Sequence, residues 1–169
     1  MELTIDILQK NIVEVRDAIG LTQDGFALLC SFSRTTLTDI ENGKKLPSLT
    51  TLNKISDFTT IGIDKLAKRN YRPQVDLREK LQKKYTNDST KSVLLDKTPS
   101  IPHIVKYRLL KTDFLSKFRK RKEILAYIKD NYGWDVNPNS LTTNLKRLDD
   151  VLVIKPNPDE NRGNIYKKK

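Results

Sequence analysis

The sequence predicts a mainly α chain in two parts: five short helices in the first seventy residues, then a smaller α+β unit that closes on a β-hairpin. Three observations predict it. Between Leu8 and Leu66 apolar residues recur at spacings of three and four, the period of a helix rather than of a strand. Capping residues and helix breakers punctuate that stretch every ten residues or so. Near the carboxy terminus a short apolar run, a Pro/Asn/Gly loop and a second short run spell a hairpin.

The first helix carries Leu8, Ile12, Val15 and Ile19 as an apolar stripe. Thr22 is a good N-cap for the second, where Phe26, Ala27 and Leu29 point inward. A break at Cys30-Ser31-Phe32 follows, and Ser33 caps the third helix, with Leu37 and Ile40 facing the core. Gly43 ends that helix, and Pro47 is expected in the first turn of the fourth. Leu49, Leu52 and Ile55 are its expected buried face, and Ile63 and Leu66 mark a fifth helix.

Two short helices separated by a three- or four-residue turn form the core of a helix-turn-helix. The string Leu21-Thr22-Gln23, Phe26-Ala27, Ser33-Arg34-Thr35-Thr36-Leu37, Ile40-Glu41-Asn42-Gly43-Lys44 and Pro47-Ser48 resembles the Cro/phage-repressor helix-turn-helix family, the Xre type, over residues 5–68. Arg16 falls where that family usually carries an arginine in its first helix. Two features depart from the pattern: Ser31 stands at a turn position usually held by Gly, and Asp24-Gly25 replaces good helix formers in the second helix.

The resemblance implies roles. Helix 33–42 would lie in the major groove of double-stranded DNA, with Arg34, Thr35 and Thr38 reaching base edges. Arg34 is the residue suited to guanine, because its guanidinium meets both acceptors at once. Gln23, Asn42 and Lys44 would hold backbone phosphates, Ser33 would sit among them as the cap, and Thr36 either touches phosphate or caps. Glu41 is expected to be structural and paired with Arg16. The plain alternative for each polar residue is an ordinary solvated side chain.

Residues 71–100 lose the apolar periodicity and read as a linker, part helical around Leu77 and Leu81, or as a dimerisation helix. From residue 101 the chain organises again. Ile104, Tyr107 and Leu110, then Phe114, Leu115 and Phe118, suggest helix; Ile124, Leu125, Tyr127 and Ile128 give an amphipathic helix stopped by Gly133. Asn139 or Ser140 caps a further helix carrying Leu141, Leu145 and Leu148. Val151 to Ile154 and Asn164 to Tyr166 are the hairpin strands, joined by the loop 156–163. This order is winged-helix-like in architecture, with residues 140–149 as a second recognition helix and the hairpin as the wing. Tyr107, Phe114, Phe118 and Tyr127 read as core rather than as stacking platforms, and Trp134 as a packed lid.

The charge is uneven. Of the formal +11, residues 1–70 contribute nothing, with nine Lys/Arg against nine Asp/Glu, while residues 71–169 hold 23 against 12. Residues 106–122 alone carry eight Lys/Arg against Asp113. Basic excess attracts polyanions, so Lys120, Arg121 and Lys122, together with Asn144, Lys146 and Arg147 on the second recognition helix, are candidate DNA contacts. His103 and the scattered carboxylates form no catalytic set, there is no phosphate-loop or zinc spacing, and Cys30 is the one cysteine. No enzyme, metal or cofactor is expected, nor a signal peptide, given Glu2, Asp6 and Glu14 in the first stretch.

These readings converge on a cytoplasmic transcriptional regulator, a repressor in the leading reading, from a prokaryotic cell or a mobile element, acting as a homodimer away from membranes. Two alternatives stand beside it: an antitoxin whose residues 101–169 bind a protein partner, and an architectural DNA-binding protein with little sequence preference.

Overall fold

The computed structural model describes residues 5–158 and 163–169. The chain divides into two units, one running to Lys97 and the other from Thr98 onward.

In the first unit, α1 (Ile5–Ile19) puts Leu8, Ile12, Val15 and Ile19 fully inside, along one stripe. Each such burial stabilises by about 1.5–3 kcal/mol before entropy is counted. Gly20, at φ 77, turns the chain out of the helix. Helix α2 (Gln23–Leu29) begins at Thr22, whose hydroxyl accepts from the Gly25 N–H, and buries Phe26, Ala27 and Leu29. Helix α3 (Arg34–Glu41) begins at Ser33 and buries Leu37, Ile40 and Glu41. Gly43 at φ 68 reverses the chain after it. Helix α4 (Leu49–Thr59) and the single turn α5 (Ile63–Leu66) complete the group, and Phe58 meets Phe26 edge-on at 6.2 Å.

Helix α4 corrects two expectations. Its cap is Ser48, whose hydroxyl accepts from the Thr51 N–H, so Pro47 lies before the helix and not in its first turn. Leu49, expected on the buried face, is 68% exposed; Leu52, Ile55 and Phe58 make that face instead. The helix starts at Leu49, two residues after Pro47, and Leu49 in its first turn faces solvent.

The segment read as linker or dimerisation helix folds onto the first unit as α6 (Leu77–Lys84) and α7 (Ser89–Asp96). Leu77 and Leu81 are buried there, and so is Leu95 from α7. Arg78, only 4% exposed, donates to the carbonyls of Ile19 (2.5 Å), Leu95 and Lys97 (2.6 Å), tying the end of α1 to the end of α7. A buried guanidinium has to be met by acceptors, and three helix-end carbonyls are well placed to do it. Tyr85 stacks on Phe58 at 5.7 Å and donates its hydroxyl hydrogen to the Phe58 carbonyl at 2.8 Å.

The second unit opens with a helical run in which α8 (Ile101–His103) continues as a wider π turn over Ile104–Arg108 and a 3-10 turn over Leu109–Lys111. Its buried Ile104, Val105 and Leu109 join Leu115, Ile124, Ile128, Leu141, Leu145, Leu152 and Tyr166 in one core. His103 is buried and stacks on Tyr107 at 5.5 Å. Then come β1 (Arg119–Lys120), α9 (Arg121–Tyr132), α10 (Pro138–Lys146), β2 (Leu152–Pro156) and β3 (Asn164–Lys168). The strands form an antiparallel sheet in the order β1-β3-β2, with Ile154 and Arg119 both opposite Tyr166.

The hairpin is where the sequence put it, although residues 159–162 of its loop lie outside the described residues. Strand β1 was not foreseen: it is two residues long, too short to show alternation. The helix expected at 140–149 spans Pro138–Lys146, because Asn137, and not Asn139 or Ser140, is the cap: its Oδ1 accepts from the Asn139 and Ser140 N–H groups. Pro138 at the first position costs nothing, since its missing N–H would have had no partner. Trp134 is half-buried and stacks on Tyr132 at 4.9 Å, beside the core.

Candidate nucleic-acid interface

The α2–turn–α3 segment is fixed by two anchors. Within the turn, Ser31 takes a left-handed conformation, φ 58, as the departure from Gly implied it must. A side chain there costs about 1 kcal/mol. Lys54, from α4, donates to the Ser31 carbonyl at 2.8 Å and holds the turn in place. Cys30, buried behind it, has its thiol pushed up by burial and stays protonated.

The second anchor is Glu41, at the end of α3. Arg16 Nε donates to its Oε1 at 2.5 Å and Arg16 Nη2 to its Oε2 at 3.1 Å, so the expected pair is present and bidentate. Gln23 Nε2 donates to the same Oε2 at 2.7 Å, and Gln9 Nε2 to the Glu41 carbonyl at 2.6 Å. Arg16 also donates to the Leu21 carbonyl at 3.1 Å. Burial disfavours the Arg16 charge, yet the bond to Glu41 and the neighbouring Asp17 outweigh it and leave its pKa raised. One carboxylate thus ties α1, the start of α2 and the end of α3 together. It also aims Gln23: with one amide N–H held by Glu41, the other N–H is left to donate elsewhere.

The outward side of α3 carries the residues expected to meet bases. Arg34 and Thr35 are exposed, and Thr38 is half-exposed one turn after Arg34. Ser33 and Thr36 bond one another, Oγ to Oγ1 at 2.8 Å, while Ser33 Oγ accepts from the Thr36 N–H. Thr36 is therefore engaged locally in the free protein. Asn42 and Lys44 are exposed just beyond the helix.

Two contributors were missed in the sequence. Asp24 pairs with Arg34 at 3.4 Å, both more than 60% exposed, and Lys54 braces the turn from α4. Only tertiary structure brings these together; neither has a local spacing signal.

In the second unit Lys120 precedes α9, and Arg121 and Lys122 form its first turn. Glu123 accepts from the Lys120 N–H at 2.7 Å and from Arg119 at 3.1 Å, and these bonds hold its carboxyl below the usual range. Arg121 Nη1 reaches Thr142 Oγ1 on α10 at 3.3 Å. Lys146 and Arg147 are exposed at the end of α10, whereas Asn144 spends its amide on the Ser140 carbonyl at 2.9 Å. Phe118 lies under the Lys155 and Lys167 ammonium groups, at 5.2 and 5.9 Å.

Among the described residues no helix is long and apolar enough to cross a membrane. Residues 12–66 match a family model described as helix-turn-helix. No curated protein and no solved structure matches the chain. The matched stretch runs from Ile12, the second residue of the buried stripe of α1, to the end of α5 and contains the whole Glu41 anchor except Gln9. Residues 12–66 are thus similar to a Cro/C1-type helix-turn-helix family, and the rest of the chain lies outside the match.

Proposed function

We propose that the protein is a sequence-specific double-stranded DNA-binding transcriptional regulator, a repressor that binds its operator as a homodimer in the cytoplasm. Helix α3 enters the major groove; Arg34 reads guanine, Thr35 and Thr38 meet neighbouring base edges, and Gln23, Ser33, Thr36, Asn42 and Lys44 line the phosphates. The observation that carries this reading is the division of α3: Leu37, Ile40 and Glu41 are buried while Arg34 and Thr35 stand in solvent. A helix so divided is anchored on one face and free to be read from the other.

The second unit, from Thr98, acts in this reading as a winged-helix-like module that adds phosphate contacts through Lys120, Arg121, Lys122, Asn144, Lys146 and Arg147. Its net charge supports that role: residues 98–169 hold 16 Lys/Arg against 8 Asp/Glu. The antitoxin alternative would be favoured by a large exposed apolar patch there. Among the described residues the most exposed large apolar side chains are Leu28, Leu46, Leu49, Val75 and Val93, all in the first unit.

The test is a salt titration of the full chain on duplex DNA. Replacing Lys120, Arg121 and Lys122 together by Gln is expected to lower the slope of log K against log salt by up to about 2.7, from about 0.9 per phosphate contact. An unchanged slope would make that run a solvated surface and confine DNA binding to the first unit.

A further inference from the structure

A cleft of about 250 Å³ lies between the first turn of α9, the side of α10 and the hairpin. Lys120, Arg121 and Lys122 line it from one side, Thr142 from α10, and Asn164 and Tyr166 from β3. None of the described residues lining it is acidic. The nearest carboxylate in sequence, Glu123, is turned away to the Lys120 N–H and to Arg119.

The chemistry of this lining is that of donors. The residues lining it supply one guanidinium, two ammonium groups, a hydroxyl, two amides and a phenol, beside the first turn of a helix of 12 residues. Arg121 spends one donor on Thr142 and keeps the rest of its fork, the geometry suited to a tetrahedral oxyanion. The volume is below the 300–1,000 Å³ typical of whole small-molecule sites, so it suits a charged head group with its waters and not a base and sugar besides.

We propose that this cleft is a phosphate-binding site that seats a single phosphate group. That group is carried either by the DNA backbone or by a free phosphorylated small molecule; the inference rests on the DNA-binding reading only for the choice between these carriers. A bound phosphate would bridge α9, α10 and the hairpin, of which Arg121 already joins α9 to α10 through Thr142.

The full-length, ¹⁵N-labelled chain is titrated with inorganic phosphate, ionic strength being held constant with sodium chloride. The expected result is a saturable shift of the Arg121, Lys122, Thr142 and Asn164 amides, weakened about tenfold or more by Arg121→Gln, the worth of one charge-assisted hydrogen bond. Lys122→Gln, at an exposed position, gives the same direction should Arg121→Gln fail to fold. Shifts that never saturate, that spread evenly over Lys44, Lys45 and Lys167–Lys169, or that survive both variants overturn the site.

Duplex DNA is then added to the phosphate-saturated protein. Movement of the same amides identifies the backbone as carrier; movement confined to the Arg34 and Thr35 region identifies a free phosphorylated ligand. Duplex binding without a saturable phosphate response overturns the cleft and leaves the DNA-binding reading standing. A saturable phosphate response without duplex binding does the reverse.

Discussion

Replacing Glu41 by Gln keeps the shape of the anchor and removes its charge. Three N–H groups converge on the carboxylate: two from Arg16 and one from Gln23, at 2.5, 3.1 and 2.7 Å. A glutamine offers one carbonyl oxygen and turns an NH2 toward one of those donors, so one charge-assisted bond is lost outright and another weakened. Arg16 and Glu41 side chains are 13% and 5% exposed, so solvent screens little of this. Charge-assisted bonds contribute about 1.5–3 kcal/mol each. Arg16 keeps the Leu21 carbonyl at 3.1 Å and Asp17 at 3.3 Å, which spares it the full cost of an isolated buried charge. The expected loss is about 2–4 kcal/mol, or roughly 10–25 °C in melting temperature for a unit of this size. Thermal unfolding followed by far-UV circular dichroism reads it, with amide exchange in α1 and α3 locating the loss in the first unit. A double-mutant cycle with Arg16→Met separates the pair from its surroundings. A loss under about 0.5 kcal/mol, the range of an ordinary surface change, would refute Glu41 as the anchor.

Three further predictions follow from the same unit. Ser31→Gly relieves the left-handed turn and raises stability by about 0.5–1 kcal/mol, measured by urea denaturation; a loss would mean that the Ser31 backbone is not strained. Arg78→Met leaves the Ile19, Leu95 and Lys97 carbonyls without their donor and costs about 3 kcal/mol or more, whereas a true linker at 71–97 would show almost no change. Hydrogen bonds from the Lys91 side chain and backbone hold the Asp88 carboxyl below its ordinary range. The ionised form therefore caps α7 above the ordinary aspartate pKa of about 3.9, and the stabilisation is lost as pH falls through the lowered native value. The protection of the α7 amides, taken relative to their intrinsic exchange rates, should fall across that window in the parent chain and stay flat in Asp88→Asn, which keeps the cap without the titration.

The first unit was legible because its signals are local. Thr22 and Ser33 cap where caps were expected, the stripe of α1 is fully buried, and the left-handed Ser31 follows from a turn position that wants Gly. The Arg16–Glu41 pair was legible only through family resemblance, for 25 residues separate the partners. A helix around Leu77 and Leu81 was legible, but α7 and the packing of both helices onto the first unit escaped, because Leu77, Leu81 and Leu95 are too sparse to set a period and a buried Arg78 helps to tie them down. Leu49 was misread because the helix starts at a Ser cap and not at Pro47. In the second unit the hairpin was plain, while β1 is two residues long and becomes a strand only by pairing with Tyr166 and Ile165. Asp24 beside Arg34 had no sequence signal at all: they lie on different helices and meet across the turn.

The central claim is that α3 reads bases through Arg34. The most direct measurement is enrichment of bound sequences from a random duplex pool, run side by side on the full chain and on Arg34→Ala. The account predicts that the parent chain enriches two related half-sites about one helical turn apart, each with a fixed guanine, and that Arg34→Ala loses preference at that guanine by roughly 5- to 150-fold while the rest of the motif persists. A pool that emerges unenriched from the parent chain, or a guanine preference untouched in Arg34→Ala, would contradict it.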